Sequence, residues 1–176
     1  MQGYIILEDK ILSLIYLSSR YPMTLTEQEV YYIKMILFVL ENYNKFCADF
    51  QDTWSEELFL GELAEVSISR DVSVAVLDSQ VVGYASFRYV GKQGDVNTVA
   101  VAKDQQGKGI GTSLMDWLES QAALRNVREI FLEVRSDNES AMKMYASRGY
   151  ERIDIRRNYY GNTIDANIMR KRVANV

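Results

Sequence analysis

The stretch "QQGKGIGTSLMDW", residues 105–117, marks the join between a strand and a helix. Gly107, Gly109 and Gly111 alternate within it, Lys108 lies between the first two, and an amphipathic run follows at once. The whole chain of 176 residues holds only 10 glycines, so this concentration needs a reason. Just upstream, "DVNTVAVA" reads as a strand ending near Val101; downstream, a helical period runs from Gly109 to Leu124. The glycines therefore open a helix, where the first N–H groups lack intrahelical partners and the helix dipole is positive. Missing side chains let an anion approach the backbone, and Lys108 adds a mobile positive charge. The pattern predicts a phosphate or pyrophosphate cradle. It is neither the P-loop GxxxxGK[ST] nor the dinucleotide-binding GxGxxG. What remains is Gln106-x-x-Gly109-x-Gly111, which taken alone also fits a glycine-rich turn with no ligand.

Further upstream, "VSVAVL" from Val72 is a short strand, "DSQ" a turn and "VVGYASFRYV" a longer strand, together a hairpin. Beyond the helix, "EIFLEV" is a strand. "SDNESAMKMYASRG" is a second helix, with Ser136 and Glu139 as a capping box and Gly149 as its C-terminal glycine. "YERIDIRRNYY" and "IDANIMRKRV" form a last hairpin around "GNT". The first 60 residues read as mainly helical: Leu12, Ile15, Tyr16 and Leu17 suggest one short helix, Thr26 onward a second, and "SEELFLGEL" a third. The order of elements predicts an α/β fold with a mixed sheet, antiparallel at its ends and parallel at a β–α–β centre, in a single domain over residues 1–176.

Composition narrows the chemistry. There is no histidine, so the usual general base near neutral pH is missing, and so are histidine zinc sites. Acid–base work falls to Asp, Glu, Tyr, Lys or water, and no metal is expected. The lone cysteine, Cys47, has no internal partner and fits a reducing cytoplasm. No apolar run approaches the roughly 20 residues that span a bilayer, so no membrane role is expected. The first 70 residues are net acidic and the end from Tyr145 onward is basic. That end reads as a solvated face in preference to an RNA-facing one, so direct nucleic-acid binding is not expected.

Taken together, "QGKGIGTSLMDWLE" and "FLEVRSDNESAMKMYASRGYERIDIRRNYY" resemble the GNAT superfamily of acetyl-CoA-dependent N-acetyltransferases. Within it they are most similar to the bacterial branch that acetylates the N-terminal alanine of a ribosomal protein. The shared run covers residues 95–172, with a weaker echo in "TWSEELF" at residues 53–59. The resemblance implies a GNAT-type fold, with residues 72–172 as its cofactor-binding and catalytic core. Its central sheet, flanked by helices, would splay near Val101 and Val134 to admit acetyl-CoA. The resemblance also implies that Gln106, Gly107, Lys108, Gly109, Ile110, Gly111 and Thr112 wrap the pyrophosphate. The backbone of Val99, Ala100 and Val101 would pair with the pantetheine arm, which Asn138 also contacts. Glu133 falls on the general base, Tyr145 on the general acid, and "RRNYY" at Arg156–Tyr160 on a loop lining the acceptor, with Arg157, Tyr159 and Tyr160 as its candidate contacts.

The chemistry suits these residues. An α-amino group has a reference pKa of about 7.7–8.0, against about 10.4 for lysine, so much of it is neutral near pH 7.5. A carboxylate acting through a water can do the rest. Glu133 fits if partial burial at the splay raises its pKa; by itself it is also an edge-strand glutamate facing water. Tyr145 lies seven residues after Asn138, on the same helical face and about 10 Å along the axis. Among 12 tyrosines it could equally be a core residue packed on Met142 and Met144. Asn138 could be part of a capping turn, and Tyr159 and Tyr160 mere hairpin aromatics.

The first 50 residues depart from the family pattern. They are longer and unusually aromatic (Tyr31, Tyr32, Phe38, Tyr43, Phe46), a candidate partner or homodimer face, and Gly161 stands where the family often has proline. Three functions stay open. The first is acetylation of a protein N-terminus such as that of ribosomal protein S18. The second is the same chemistry on a small amine or lysine. The third is a non-catalytic acetyl-CoA-binding or ribosome-associated module.

Overall fold

A computed structural model of the chain describes residues 5–7 by their backbone, and residues 69–78, 80–161 and 163–173 in full. The elements are β1 (Ile5–Leu7), β2 (Arg70–Leu77), β3 (Gln80–Val90), β4 (Gln93–Val101), a 3-10 turn (Lys103–Gln105), α1 (Ile110–Leu124), β5 (Glu129–Arg135), α2 (Glu139–Ser147), β6 (Glu151–Tyr160) and β7 (Ile164–Arg172). The strands form one sheet in the order β1-β2-β3-β4-β5-β7-β6. Among the described strands only β4 and β5 run parallel, joined by α1; the other pairs are antiparallel. This is the mixed α/β sheet that the sequence predicts.

One early element differs. Ile5–Leu7 is a strand, paired with β2 at Ile5↔Val76, where the first 60 residues read as mainly helical. Three apolar residues carry no period, and their partner strand is far away in the chain, so local pattern cannot reveal them. The helices expected between residues 8 and 68, Cys47 and the aromatic run fall outside the described residues.

α1 covers one face of the sheet. Its Met115, Trp117, Leu118 and Ala122 pack with Ile130, Leu132 and Val134 of β5 and with Tyr145 and Tyr150. Ile110 and Leu114 pack on Ala75, Val82 and Ala85 of β2 and β3. α2 ends in a Schellman motif: Tyr150 N–H donates to the Tyr145 carbonyl at 3.1 Å, and Gly149 N–H to that of Ala146 at 3.0 Å. Gly149 takes φ +85°, which glycine adopts without strain. The accompanying apolar contact is the Tyr145–Tyr150 ring pair, 5.8 Å between centroids. Tyr145 is thus fixed at backbone and ring. At the other end of α2, Asn138 is the N-cap, accepting from the Ala141 N–H at 3.1 Å. The Ser136–Glu139 capping box is not formed: Ser136 N–H donates to the Asp165 carbonyl of β7, so the chain is still sheet-bound there and the helix starts later.

The basic end is largely neutralised within the fold. Arg148 faces Asp116 and Glu119, Lys171 faces Glu119, Arg170 and Arg172 face Glu129, Arg156 faces Glu133 and Arg157 faces Asp165. These charges act inside the molecule, in keeping with a structural face.

Candidate active site

The parallel pairing of β4 with β5 stops at Val96↔Leu132. β4 continues along β3 to Val101↔Gly83, and β5 continues along β7 to Arg135↔Ala166. A gap therefore opens between residues 97–101 and residues 133–135. Its cause lies in the register of β3 and β4: Phe87 pairs with Val96 and Ser86 with Thr98, leaving Asn97 as an extra residue. Such a bulge bends its strand and increases the local twist, turning β4 away from β5.

Two grooves border this gap from opposite faces of the sheet. On the helix face, a groove of about 380 Å³ is lined by Val99, Ala100, Val101, Gln105, Gln106, Gly107, Gly109, Gly111, Thr112, Asn138, Ser140, Ala141, Met144 and Tyr145. On the other face, a groove of about 570 Å³ is lined, among the described residues, by Arg70, Arg88, Asp95, Val96, Asn97, Phe131, Leu132, Glu133, Arg156, Tyr159, Tyr160 and Ile168. Period two on β5 makes the division: Ile130, Leu132 and Val134 enter the core under the helices, while Glu133 belongs to the opposite groove.

The three glycines have different reasons. Gly107 (φ +74°) and Gly109 (φ +85°) hold left-handed backbone that other residues adopt at a cost. Gly111 is helical; a Cβ there would sit 3.6 Å from Met144 Sδ and 3.7 Å from Val101 Cγ2. Its small size keeps the helix-side groove open. Gly109 caps α1 with no side-chain hydrogen bond, so the first amides of the helix are left for an outside acceptor. An anion fits here by the same backbone geometry that the sequence suggests.

Two cradle residues contribute less than expected. The Ile110 side chain is in the core, 1% exposed, so only its backbone can serve the groove. The Lys108 ammonium donates to Gln105 Oε1 at 2.9 Å and does not line the groove. The Gln106 amide donates to the Val101 carbonyl at 3.1 Å, closing the loop against the end of β4.

Tyr145 unites its two readings. It is 7% exposed and packed with Met142 and Met144, yet it lines the helix-side groove. Burial first, and the neighbouring Tyr160 second, push its pKa up to about 12. The Glu133 side chain borders the other groove and is 31% exposed, and its carboxylate lies 2.8 Å from Arg156 Nη1. Arg156, the first residue of the "RRNYY" run, also lies 5.3 Å from the Tyr159 ring centroid. Tyr159 and Tyr160 meet edge to face at 5.0 Å and line the groove.

Arg157 does not line that groove. Its Nη1 donates to Asp165 at 2.9 Å, and the same carboxylate accepts the Asn158 N–H. A register shift between Arg156 and Tyr160, with Asn158 at φ +52°, resets the alternation of β6. Arg156 pairs with Ala166 before that shift, two residues on from Asp154↔Ile168, so plain alternation sets it on the Ile168 side of the groove and Arg157 on the other; the shift is what brings Tyr159 in beside Tyr160. The sequence reading also passes over Asp95 and Asn97, although alternation on β4 puts them on the Glu133 face. Among the described residues no cluster could hold a metal, and no helix is long and apolar enough to cross a membrane.

The chain matches the acetyltransferase (GNAT) family over residues 15–150. It belongs to that family and is an acetyl-transferring enzyme. It is 32% identical over 107 residues to the [ribosomal protein bS18]-alanine N-acetyltransferase of Salmonella typhimurium, covering 61% of this chain and 70% of that one. It is 34% identical over 125 residues to the N-alpha-acetyltransferase RimI of Mycobacterium tuberculosis, covering 68% and 76%. Its structure superposes on that of Ard1 from Thermoplasma volcanium with a TM-score of 0.70 and 26% identity, over 77% of this chain and 91% of that one. Enzymes of the GNAT family use acetyl-CoA as the acetyl donor.

Proposed function

We propose that this enzyme acetylates the N-terminal α-amino group of a cytoplasmic protein, with a ribosomal protein of the bS18 type as the leading acceptor. The observation that carries the proposal is the gap between β4 and β5, flanked by Tyr145 on the glycine-rich face and by Glu133 on the other. The amides opening α1 and residues 106–112 would hold the diphosphate of acetyl-CoA, and the unpaired edge of β4 its pantetheine arm. Bound there, acetyl-CoA supplies the acetyl group as an activated thioester. The acceptor enters from the Glu133 side. Its neutral amine attacks the thioester carbonyl, a C–N bond forms, the C–S bond breaks, and Glu133 takes the amine proton through a water. Tyr145, holding its proton up to about pH 12, donates a hydrogen bond to the departing sulfur. Full transfer to a thiolate of ordinary pKa near 8.5 is uphill from such a phenol, so we assign it a stabilising hydrogen bond more than an early proton. Tyr159 and Tyr160 form a wall for the first residues of the acceptor.

The test is thiol release with acetyl-CoA and a panel of amines. Peptides beginning with Ala or Ser are expected to turn over at least about tenfold better in kcat/KM than lysine side chains or polyamines, given their lower amine pKa. Turnover of small amines or lysine alone would contradict the N-terminal reading. Coenzyme binding without turnover of any amine would return the chain to a binding module.

A further inference from the structure

We infer that Asp95 is a further acceptor-site residue, the carboxylate that receives the incoming amine while it is still an ammonium. This rests on the acceptor side proposed above and adds to it. Asp95 stands on β4 opposite Phe131, one step before the last β4–β5 pair. Its neighbours Gly94 and Val96 are buried, and Asp95 points the other way, into the groove that holds Glu133. Glu133 follows Phe131 by two residues, so the two carboxylates rise from neighbouring strands, about 7 Å apart along them and about 5 Å across.

The two acids keep different company. Glu133 is countered at 2.8 Å by Arg156, so an arriving cation meets a charge already balanced. Asp95 makes no ion pair or hydrogen bond among the described residues. Arg88, directly across on β3, acts on it only at longer range. Asp95 keeps an exposed side in the groove, and partial desolvation of its carboxyl raises its pKa, with Arg88 opposing. A cation placed beside it would remove that penalty, and a charge-assisted hydrogen bond from an ammonium does so directly. Among the described residues the other charged or titratable groups of this groove are Arg70, Arg88, Glu133, Arg156, Tyr159 and Tyr160. The arginines repel an ammonium, which leaves Asp95, among the described residues, as the group that can collect it.

The test compares wild type with Asp95→Asn on whichever amine the wild type accepts best. At pH 7 the KM for the amine is expected to rise about tenfold, with kcat within about twofold and the KM for acetyl-CoA unchanged. At pH 9.5, where an α-amine of pKa about 8 arrives neutral, the KM difference is expected to vanish. Asp95→Glu is expected to recover part of the loss at pH 7. An amine KM within twofold of wild type at pH 7, a loss confined to kcat, or, for an amine of pKa about 8, a KM change of equal size at both pH values would each overturn the assignment; for an amine of pKa about 10.4 the difference is expected to persist at pH 9.5. The wild type's own preference across the panel tests the N-terminal reading separately, so the two can fail independently.

Discussion

Gly109→Val is expected to raise the Kd for acetyl-CoA at least about 100-fold while leaving the protein folded, an effect of about 2.7 kcal/mol. Gly109 holds φ +85° as the cap of α1. A β-branched residue there is a genuine outlier, and the left-handed region costs about 1–2 kcal/mol. A Cβ at this position meets nothing within 4 Å, so the fold has room for it, and Gly109 itself lines the groove proposed for the diphosphate. Both effects act on the proposed cradle: the strain tilts the amides and the side chain blocks them. Isothermal titration with acetyl-CoA, with circular dichroism as a folding control, decides it. Tight binding by a folded variant would remove the cradle assignment. Gly109→Ala, with the strain but little bulk, is expected to fall between.

Tyr145→Phe is expected to lower kcat about 100-fold with acetyl-CoA affinity nearly unchanged, since it removes one hydroxyl and no packing. Comparable losses in both would mark the tyrosine as structural. The same variant has a second signature. The Tyr145 pKa is about 12 in the native state, against the ordinary tyrosine value of 10.0. The native state therefore keeps a proton that the unfolded chain has lost. Stability from this site is fully present below pH 10 and is lost as pH rises through about 12. Between about pH 9 and pH 11 the wild type is expected to lose about 1 kcal/mol more than Tyr145→Phe, read from urea midpoints at each pH. Equal losses would mean that the phenol is not buried as described.

Much of this is legible in the sequence because the signals are local. β-Branched runs, the glycines and Gly149 define the elements from β2 to β7, and the residues of the helix-side groove all come from one continuous strand–turn–helix segment plus α2. The failures share a different cause. Asn138 displaces the Ser136 capping box because Ser136 is held by β7, a partner distant in sequence. Arg156 and not Arg157 reaches the groove because β6 pairs with β7 through Asp154↔Ile168 and Arg156↔Ala166, a register that no local window includes. Ile110 belongs to the loop by its backbone, while its side chain is the first apolar residue of α1 and packs in the core. The assignment of Glu133 rests on its flanking match, but its ion pair comes from a strand two positions across the sheet, which no local window includes.

Every later step depends on the amides opening α1, which would hold the diphosphate of the acetyl donor and direct its thioester into the gap beyond Val96↔Leu132. A crystal structure with coenzyme A bound is the decisive measurement. The diphosphate is expected within hydrogen-bond distance of the backbone N–H groups around Gly109 and Gly111, with the pantetheine arm along the unpaired edge of β4 and its sulfur near the Tyr145 hydroxyl. Coenzyme A seated elsewhere, or β4 and β5 hydrogen-bonded to each other past Leu132, would contradict it.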